Sequence, residues 1–252
     1  MGTSYAMRPW LDLPPAPKQA PAKDGQPRPT NQHAGPITIA CVLRRSPEYD
    51  AECVRRLQRA VSRNVTRPFR FVCLTDELAV AGVETIALRH PEWVTKQSKM
   101  ELFRPELELG RVFYLDLDTV VCGSLEDMLS YDGTFCMLGD LGGKPQQCRG
   151  SGVMAWAPGF GAGMYEAFCK LPPHVRDTTY RVGGGRSDQL FINHFMPVRP
   201  HVFQQFWPDQ LASYKLHCRR RGRPPHNARI VCFHGRIKMR ETTEKWISET
   251  WA

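Results

Sequence analysis

Asp116 and Asp118 stand one residue apart in "RVFYLDLDTVVCGSLEDML", directly after the apolar run Val112, Phe113, Tyr114 and Leu115. The run reads as a buried strand. A strand ending in Asp-x-Asp delivers two carboxylates where it leaves its sheet. If the backbone stays extended, both side chains share one side, because strand side chains alternate with a period of two. Two carboxylates held that close repel each other unless a cation sits beside them. Mg²⁺ or Mn²⁺ takes oxygen ligands and completes its shell with substrate phosphates. The pair, with Leu117 between, therefore suits a metal that grips a diphosphate. A turn at a strand end would use the same residues for structure alone.

Other residues able to do chemistry lie further along. His234 and Gly235 end the strand-like "ARIVCFHG", and Lys238 follows. Asp188 and Gln189 open the helical "SDQLFINHFM", where Ser187 as N-cap ahead of an acidic first-turn residue is also good helix physics. Gly183 to Gly185 precede them and form a loop able to close over a ligand. Ser151 and Gly152 lie in "GSGVM", a Gly-rich lead-in to a strand. Lys96 and Lys99, in "VTKQSKMELFRPEL", offer charge to a base or to phosphates.

The elements that would position these groups alternate. "ITIACVL" from Ile37 is a short buried strand rich in β-branched residues. "SPEYDAECVRRLQRAVSRNV" places Tyr49, Cys53, Leu57, Ala60 and Val61 at helical spacing, with Ser46 and Pro47 as start signals. "FRFVCLTD" and "TIALRH" read as further strands, "VTKQSKMELFRPEL" as a helix, and "FCMLGDL" and "SGVMAWAP" as later strands. "GFGAGMYEAFCKL" holds a helix. Strand, helix, strand, helix, strand predicts an open α/β sheet whose strand ends face a ligand crevice. The ends of the first two strands, Cys41, Val42, Leu43 and Arg44, then Thr75 and Asp76, are where a base and ribose would be held.

Residues 1–36, with "LPPAPKQAPAKDGQPRPTNQHAGP", are poor in large apolar groups and read as a flexible, Pro-rich arm. The rest, 37–252, is long enough for one large domain with a substantial core. No apolar run approaches membrane-spanning length. The N-terminus lacks a charged-then-apolar leader, the expectation for a protein that stays in the cytoplasm. Nine cysteines without a CxxC pair read as dispersed reduced thiols rather than a disulfide framework or zinc site. The net charge of +9 peaks at Arg219, Arg220, Arg221 and Arg223. A basic surface of this kind suits an anionic partner, and a solvated face needed for solubility gives the same charge.

The segment "RVFYLDLDTVVCGSLEDML" resembles the Asp-x-Asp segment of GT-A glycosyltransferases, in particular the glycogenin-like and bacterial galactosyltransferase-like group. The likeness continues in order through "FVCLTD", "TKQSKMELFRPEL", "GSGVMAW", "SDQLFIN" and "IVCFHGRIKM", spanning about Ile37 to Met239. It implies a single-domain α/β fold: a GT-A, Rossmann-like open mixed sheet flanked by helices.

The resemblance also implies roles for residues. Asp116, Asp118 and His234 would be ligands of Mn²⁺ or Mg²⁺. Lys238 would neutralise the leaving diphosphate, and Gly235 would let the backbone approach it. Asp188 and Gln189 would hold the donor sugar, beside the face where a retaining reaction takes place. The donor would be a nucleotide-sugar, commonly a UDP-sugar. The spacing His-Gly-x-x-Lys is shorter than the common form, and Met239 stands where Pro is usual.

For the acceptor two readings stay open. One is a phage-type enzyme that glycosylates a hydroxymethylated base in DNA, gripping the backbone through Arg219, Arg220, Arg221 and Arg223. The other is a saccharide or lipid-linked acceptor. From other classes, a metal-dependent nucleotidyltransferase or phosphohydrolase also uses paired aspartates, and a non-catalytic nucleic-acid-binding protein would explain the charge.

Overall fold

The structure is a computed structural model that describes residue 18 and residues 37–94, 96–142, 149–179, 188–235 and 237–251. The Pro-rich arm, apart from an exposed Lys18, lies outside the described residues, as do the Gly183 to Gly185 loop and Ser187.

Among the described residues ten strands form two sheets. They are β1 (Ile37–Leu43), β2 (Phe69–Thr75), β3 (Glu84–Ala87), β4 (Val112–Leu115), β5 (Thr119–Val121), β6 (Phe135–Gly139), β7 (Arg149–Trp156), β8 (His201–Val202), β9 (Leu211–Ser213) and β10 (Ile230–Cys232). The larger sheet has seven strands in the order β3-β2-β1-β4-β7-β6-β8. It is mixed: β1 runs parallel to β2 and β4, whereas β7 is antiparallel to both β4 and β6. The smaller sheet, β5-β10-β9, was not foreseen. Of its strands only β10 shows in the sequence, within the strand-like "ARIVCFHG", while the three-residue β5 and β9 carry too little periodicity.

The helices are α1 (Ala51–Asn64), α2 (Glu126–Leu129), α3 (Ala162–Lys170), α4 (Pro173–Thr179), α5 (Asp188–Phe195), α6 (Phe203–Phe206) and α7 (Lys245–Thr250). Strand alternation divides the core between the two faces of the large sheet. On β1, Ile37, Ile39, Cys41 and Leu43 pack with Cys53, Val54, Leu57, Ala60 and Val61 of α1. Ala40 points the other way, into a cluster with Met100, Phe103, Phe168 and Phe191. This parity decides which strand-end residues can reach a ligand.

Three local expectations change. Helix α1 starts at Ala51, because Asp50 caps it by accepting a hydrogen bond from the Cys53 amide at 3.1 Å. Ser46, Pro47 and Tyr49 are thereby left in the loop before it. The segment predicted as a helix after Val94 is a 3-10 helix, Gln97–Phe103, buried throughout. It stops because Pro105 pushes Arg104 out of helical backbone, to ψ 126°. Finally, β4 ends at Leu115, so the aspartates are not on extended strand. Asp116 to Asp118 form the turn by which the chain leaves the large sheet and enters β5 of the small one.

Among the described residues no helix is long and apolar enough to cross a membrane. The eight cysteines among them are all free thiols, buried or half-buried.

Candidate active site

The carboxyl ends of β1 and β4 open on a cavity of about 910 Å³. Open α/β sheets hold ligands at this edge. Its centre is the Asp116–Asp118 turn, which main-chain bonds fix from two sides. The Asp116 amide donates to Gly152 O of β7 at 2.9 Å, and the Phe233 amide, just beyond β10, donates to Asp118 O at 2.9 Å. The Thr119 hydroxyl donates to Asp116 O and closes the turn. Gly152 has a steric reason as well: a Cβ there would stand 3.3 Å from Asp116 Oδ2.

Lys99 is the hub of one side. Its ammonium lies 2.8 Å from Asp116 Oδ1 and 2.7 Å from Asp188 Oδ2. It also donates to Ser151 O at 3.2 Å, while Ser151 Oγ donates to Asp188 Oδ2 at 2.7 Å. Tyr114, two residues before Asp116 and on the same side of the chain, donates its hydroxyl to Asp116 Oδ1. Burial works against the charge on Lys99, yet Asp116 and Asp188 hold its pKa above the usual lysine value. Burial likewise opposes the charge on Asp188, and Lys99 with Ser151 holds that carboxyl below its ordinary range. Gln189, next on α5, also lines the cavity.

On the other side Tyr49 donates to Asp118 Oδ2 at 3.2 Å. Lys238 reaches Glu48 Oε2 at 2.9 Å and Tyr49 Oη at 3.5 Å. His234 Nε2 lies 2.6 Å from Ser213 Oγ of β9. Burial, and then the Lys215 charge, push the His234 imidazole down, so it is neutral near pH 7. Gly235, at φ +85°, makes the left-handed step that carries the chain on toward Lys238.

The electrostatics of the pair test whether a cation belongs there. Burial, followed by the charge of Asp116, pushes the Asp118 carboxyl up to about 7. The network from Glu48 through Lys238, Tyr49, Asp118, Asp116, Lys99 and Asp188 sets four carboxylates against two ammonium groups. Oxygen donors with unbalanced negative charge, opening on one cavity, match a hard divalent ion. Asp116 and Asp118 fit that role. His234 does not complete a ready-made triad: among the described residues no three His, Cys, Asp or Glu side chains converge closely enough to hold a metal.

A pH dependence follows from Asp118. Between about pH 4 and pH 7 the folded protein keeps a proton there that the unfolded chain has released. Stability therefore falls as pH rises through this window, by at most roughly 1.4 kcal/mol per unit. Melting temperatures in EDTA at pH 5 and pH 7 check this. The expected fall is smaller in Asp118→Asn and is relieved by Mn²⁺ in the wild type.

The nucleotide-side expectations sort by strand parity. Val42 and Arg44 line the cavity, and exposed Lys96 stands at its edge. Arg44 is itself held by Ser98 Oγ at 2.7 Å and His90 O at 2.7 Å. Cys41 and Leu43 do not line it: they are fully buried against the α1 face. Thr75 is buried, its hydroxyl accepting from the Glu77 amide at 3.0 Å, and Asp76 caps the Arg45 amide at 3.0 Å. Neither Thr75 nor Asp76 lines the cavity: Thr75 serves the turn after β2, and Asp76 holds the chain just beyond β1. Leu117 does, through the turn. Sequence reasoning missed Tyr49, Glu48, Tyr114 and Ser213. Tyr114 had a signal in its period-two relation to Asp116. Tyr49 had been given to the helix face.

No protein-family model matches the chain, and no curated protein sequence matches it. Solved structures do. The bifunctional glycosyltransferase WbbM matches with a TM-score of 0.59 at 10% identity, over 88% of this chain and 50% of its own. The galactosyltransferase LgtC, in complex with donor and acceptor sugar analogues, matches with a TM-score of 0.53 at 12% identity, over 85% of this chain and 95% of its own. The glycosyltransferase GlyE of Streptococcus pneumoniae TIGR4 gives 0.60 at 14%, over 86% and 60%. This chain thus spans half of WbbM and nearly all of LgtC. At such identities the likeness is one of architecture: the chain has the GT-A glycosyltransferase fold.

Proposed function

We propose that the protein is a metal-dependent glycosyltransferase that moves a sugar from a nucleotide-sugar, a UDP-sugar by the commonest usage of the group it resembles, to an acceptor hydroxyl with retention. The observation that carries this reading is the Asp116–Asp118 turn, opening on one cavity with Asp188 and Gln189 on one side and Lys238 on the other.

In this reading the base and ribose lie toward Val42, Arg44 and Lys96, and the diphosphate lies toward Lys238 and the Gly235 backbone. Asp116 and Asp118, with His234 as a third candidate ligand, would hold a divalent ion, Mn²⁺ or Mg²⁺, which would supply charge neutralisation at the leaving group. Lys238 adds a point charge there. Asp188 and Gln189 hold the sugar hydroxyls. Lys99 keeps Asp188 ionised and fixes where its free lone pairs point. The acceptor oxygen bonds to the anomeric carbon as the bond from that carbon to the β-phosphate oxygen breaks. The nucleoside diphosphate leaves with the electron pair, and the hydroxyl proton passes to the departing phosphate oxygen on the same face, which retains configuration. Similarity to LgtC, described with donor and acceptor sugar analogues, supports the transferase over a phosphohydrolase.

Calorimetric titration with UDP, GDP and CDP, with and without Mn²⁺, tests the donor class. The expected result is Mn²⁺-dependent binding of UDP that Asp118→Ala abolishes. Absence of binding by every nucleotide, with the protein folded, would overturn the reading.

A further inference from the structure

The acceptor must come to the open mouth of the cavity, and one side of that mouth is built unlike the rest. After β9 the chain makes a π-helical turn, Tyr214–Cys218, capped by Ser213, whose hydroxyl accepts from the Leu216 amide at 3.2 Å. The same hydroxyl lies 2.6 Å from His234 Nε2, so the turn begins one hydrogen bond from the cavity wall. Leu216 lines the cavity while remaining 51% exposed. Large exposed apolar side chains are rare here: among the described residues only Leu78 is another. Beyond it the chain doubles back. Arg219 and Arg221 donate their amides to Tyr214 O and Cys218 O, and Gly222 takes a left-handed φ of +63° ahead of Pro224 and Pro225.

This folded turn displays Lys215, Arg219, Arg220, Arg221 and Arg223, all exposed. None of the five makes an ion pair with a carboxylate among the described residues, whereas three of the four arginines of α1, Arg55, Arg56 and Arg59, meet Glu52. Five unbalanced cations in nine residues, held in a rigid turn at a substrate mouth, exceed what solubility asks of a surface. Four of them are arginines, whose planar fork grips phosphate oxygens in pairs. Four such forks within five residues, Arg219 to Arg223, can engage more than one phosphate.

We infer that this turn docks a nucleic acid and that the acceptor hydroxyl is carried on one of its bases. The inference rests on the transferase reading for the chemistry but not for the docking. Phosphates along the strand meet the arginines, and the acceptor base leaves its stack to enter the mouth, as any enzyme acting on a base requires. Leu216 gives that base an apolar surface at the lip. A lipid surface is the weaker fit. Interfacial binding needs an apolar face alongside the basic one, and Leu216 alone provides none.

The test is the salt dependence of binding to a 20-base-pair duplex bearing hydroxymethylcytosine, followed by fluorescence anisotropy. The comparison is between wild type, Arg220→Ala/Arg221→Ala/Arg223→Ala, and a control that removes three exposed charges elsewhere, Lys170→Ala/Arg199→Ala/Lys245→Ala. Each lost phosphate contact lowers the slope of log K against log salt by about 0.9. The turn variant is expected to lose about two to three units of slope, the control less than one, and neither to change UDP binding. Equal slopes in the two variants would overturn the proposal. So would binding of anionic phospholipid vesicles without binding of duplex, or loss of UDP binding in the turn variant alone, which would move the turn into the donor site. If the wild type binds duplex in the expected way but binds no nucleotide, the docking stands and the transferase reading falls.

Discussion

Replacing Lys99 by Met is expected to cost about 3–5 kcal/mol of folding stability, the range for stranding buried charge by removing its partner. For a domain of this size that is a fall in melting temperature of roughly 6–20 °C. The reason is geometric. Lys99 Nζ meets Asp116 and Asp188 at 2.8 and 2.7 Å, and its side chain is only 8% exposed. Without it the largely buried Asp188 and the half-buried Asp116 face each other with no cation between them. Thermal unfolding by circular dichroism measures the loss. Lys99→Met/Asp188→Asn should recover part of it, because one of the stranded charges is then gone. A fall of less than about 2 °C in the single variant would show that the cluster is not a buried network.

Lys238 should behave in the opposite way. Its side chain is 29% exposed and its partner Glu48 is 54% exposed. The pair therefore contributes about 0–1 kcal/mol to stability, and Lys238→Ala should melt near the wild type. Its proposed work is at the leaving diphosphate, where charge grows only in the transition state. An interaction of that kind lowers kcat and leaves KM little changed. Losses on removing one preorganised group of this sort run to about 10²–10³-fold. Steady-state kinetics on the donor and acceptor pair found by the titrations and binding assays above would read it. Lys238→Arg should restore part of kcat. A variant that lost KM alone would make Lys238 a ground-state binding group. The expected contrast between two lysines on one cavity, one holding the fold and the other proposed for the chemistry, follows from their difference in burial.

Much of this architecture was legible from particular residues. The apolar runs "ITIACVL" and "FRFVCLTD" gave β1 at its observed bounds and β2 to within one residue, because buried parallel strands are runs of β-branched and apolar residues. Asp116, Ser151, Asp188, His234 and Lys238, singled out from separate motifs, line one cavity. What the residues could not announce was local geometry. Nothing in "LDLD" distinguishes a strand end from a turn between two sheets, since that depends on where β5 finds its partner β10, over a hundred residues away. Cys41 and Leu43 were placed at the ligand with Val42 and Arg44, although a period of two admits only alternate residues. Tyr49 matched a helical face by spacing, but Asp50 is the better cap and starts the helix at Ala51, leaving Tyr49 outside it.

The turn that carries the two aspartates is gripped at one end by β7 of the seven-stranded sheet and at the other by the chain beyond β10 of the three-stranded sheet. The gap between the carboxylates is thus a gauge of how the two sheets sit against each other. Protein interiors are packed too densely to absorb such a displacement locally. A load applied to the small sheet would reach Asp118 through Ser213, His234 and Phe233. In the proposed reaction the spacing of the two aspartates would thus be set from outside the pocket, by how the small sheet is held.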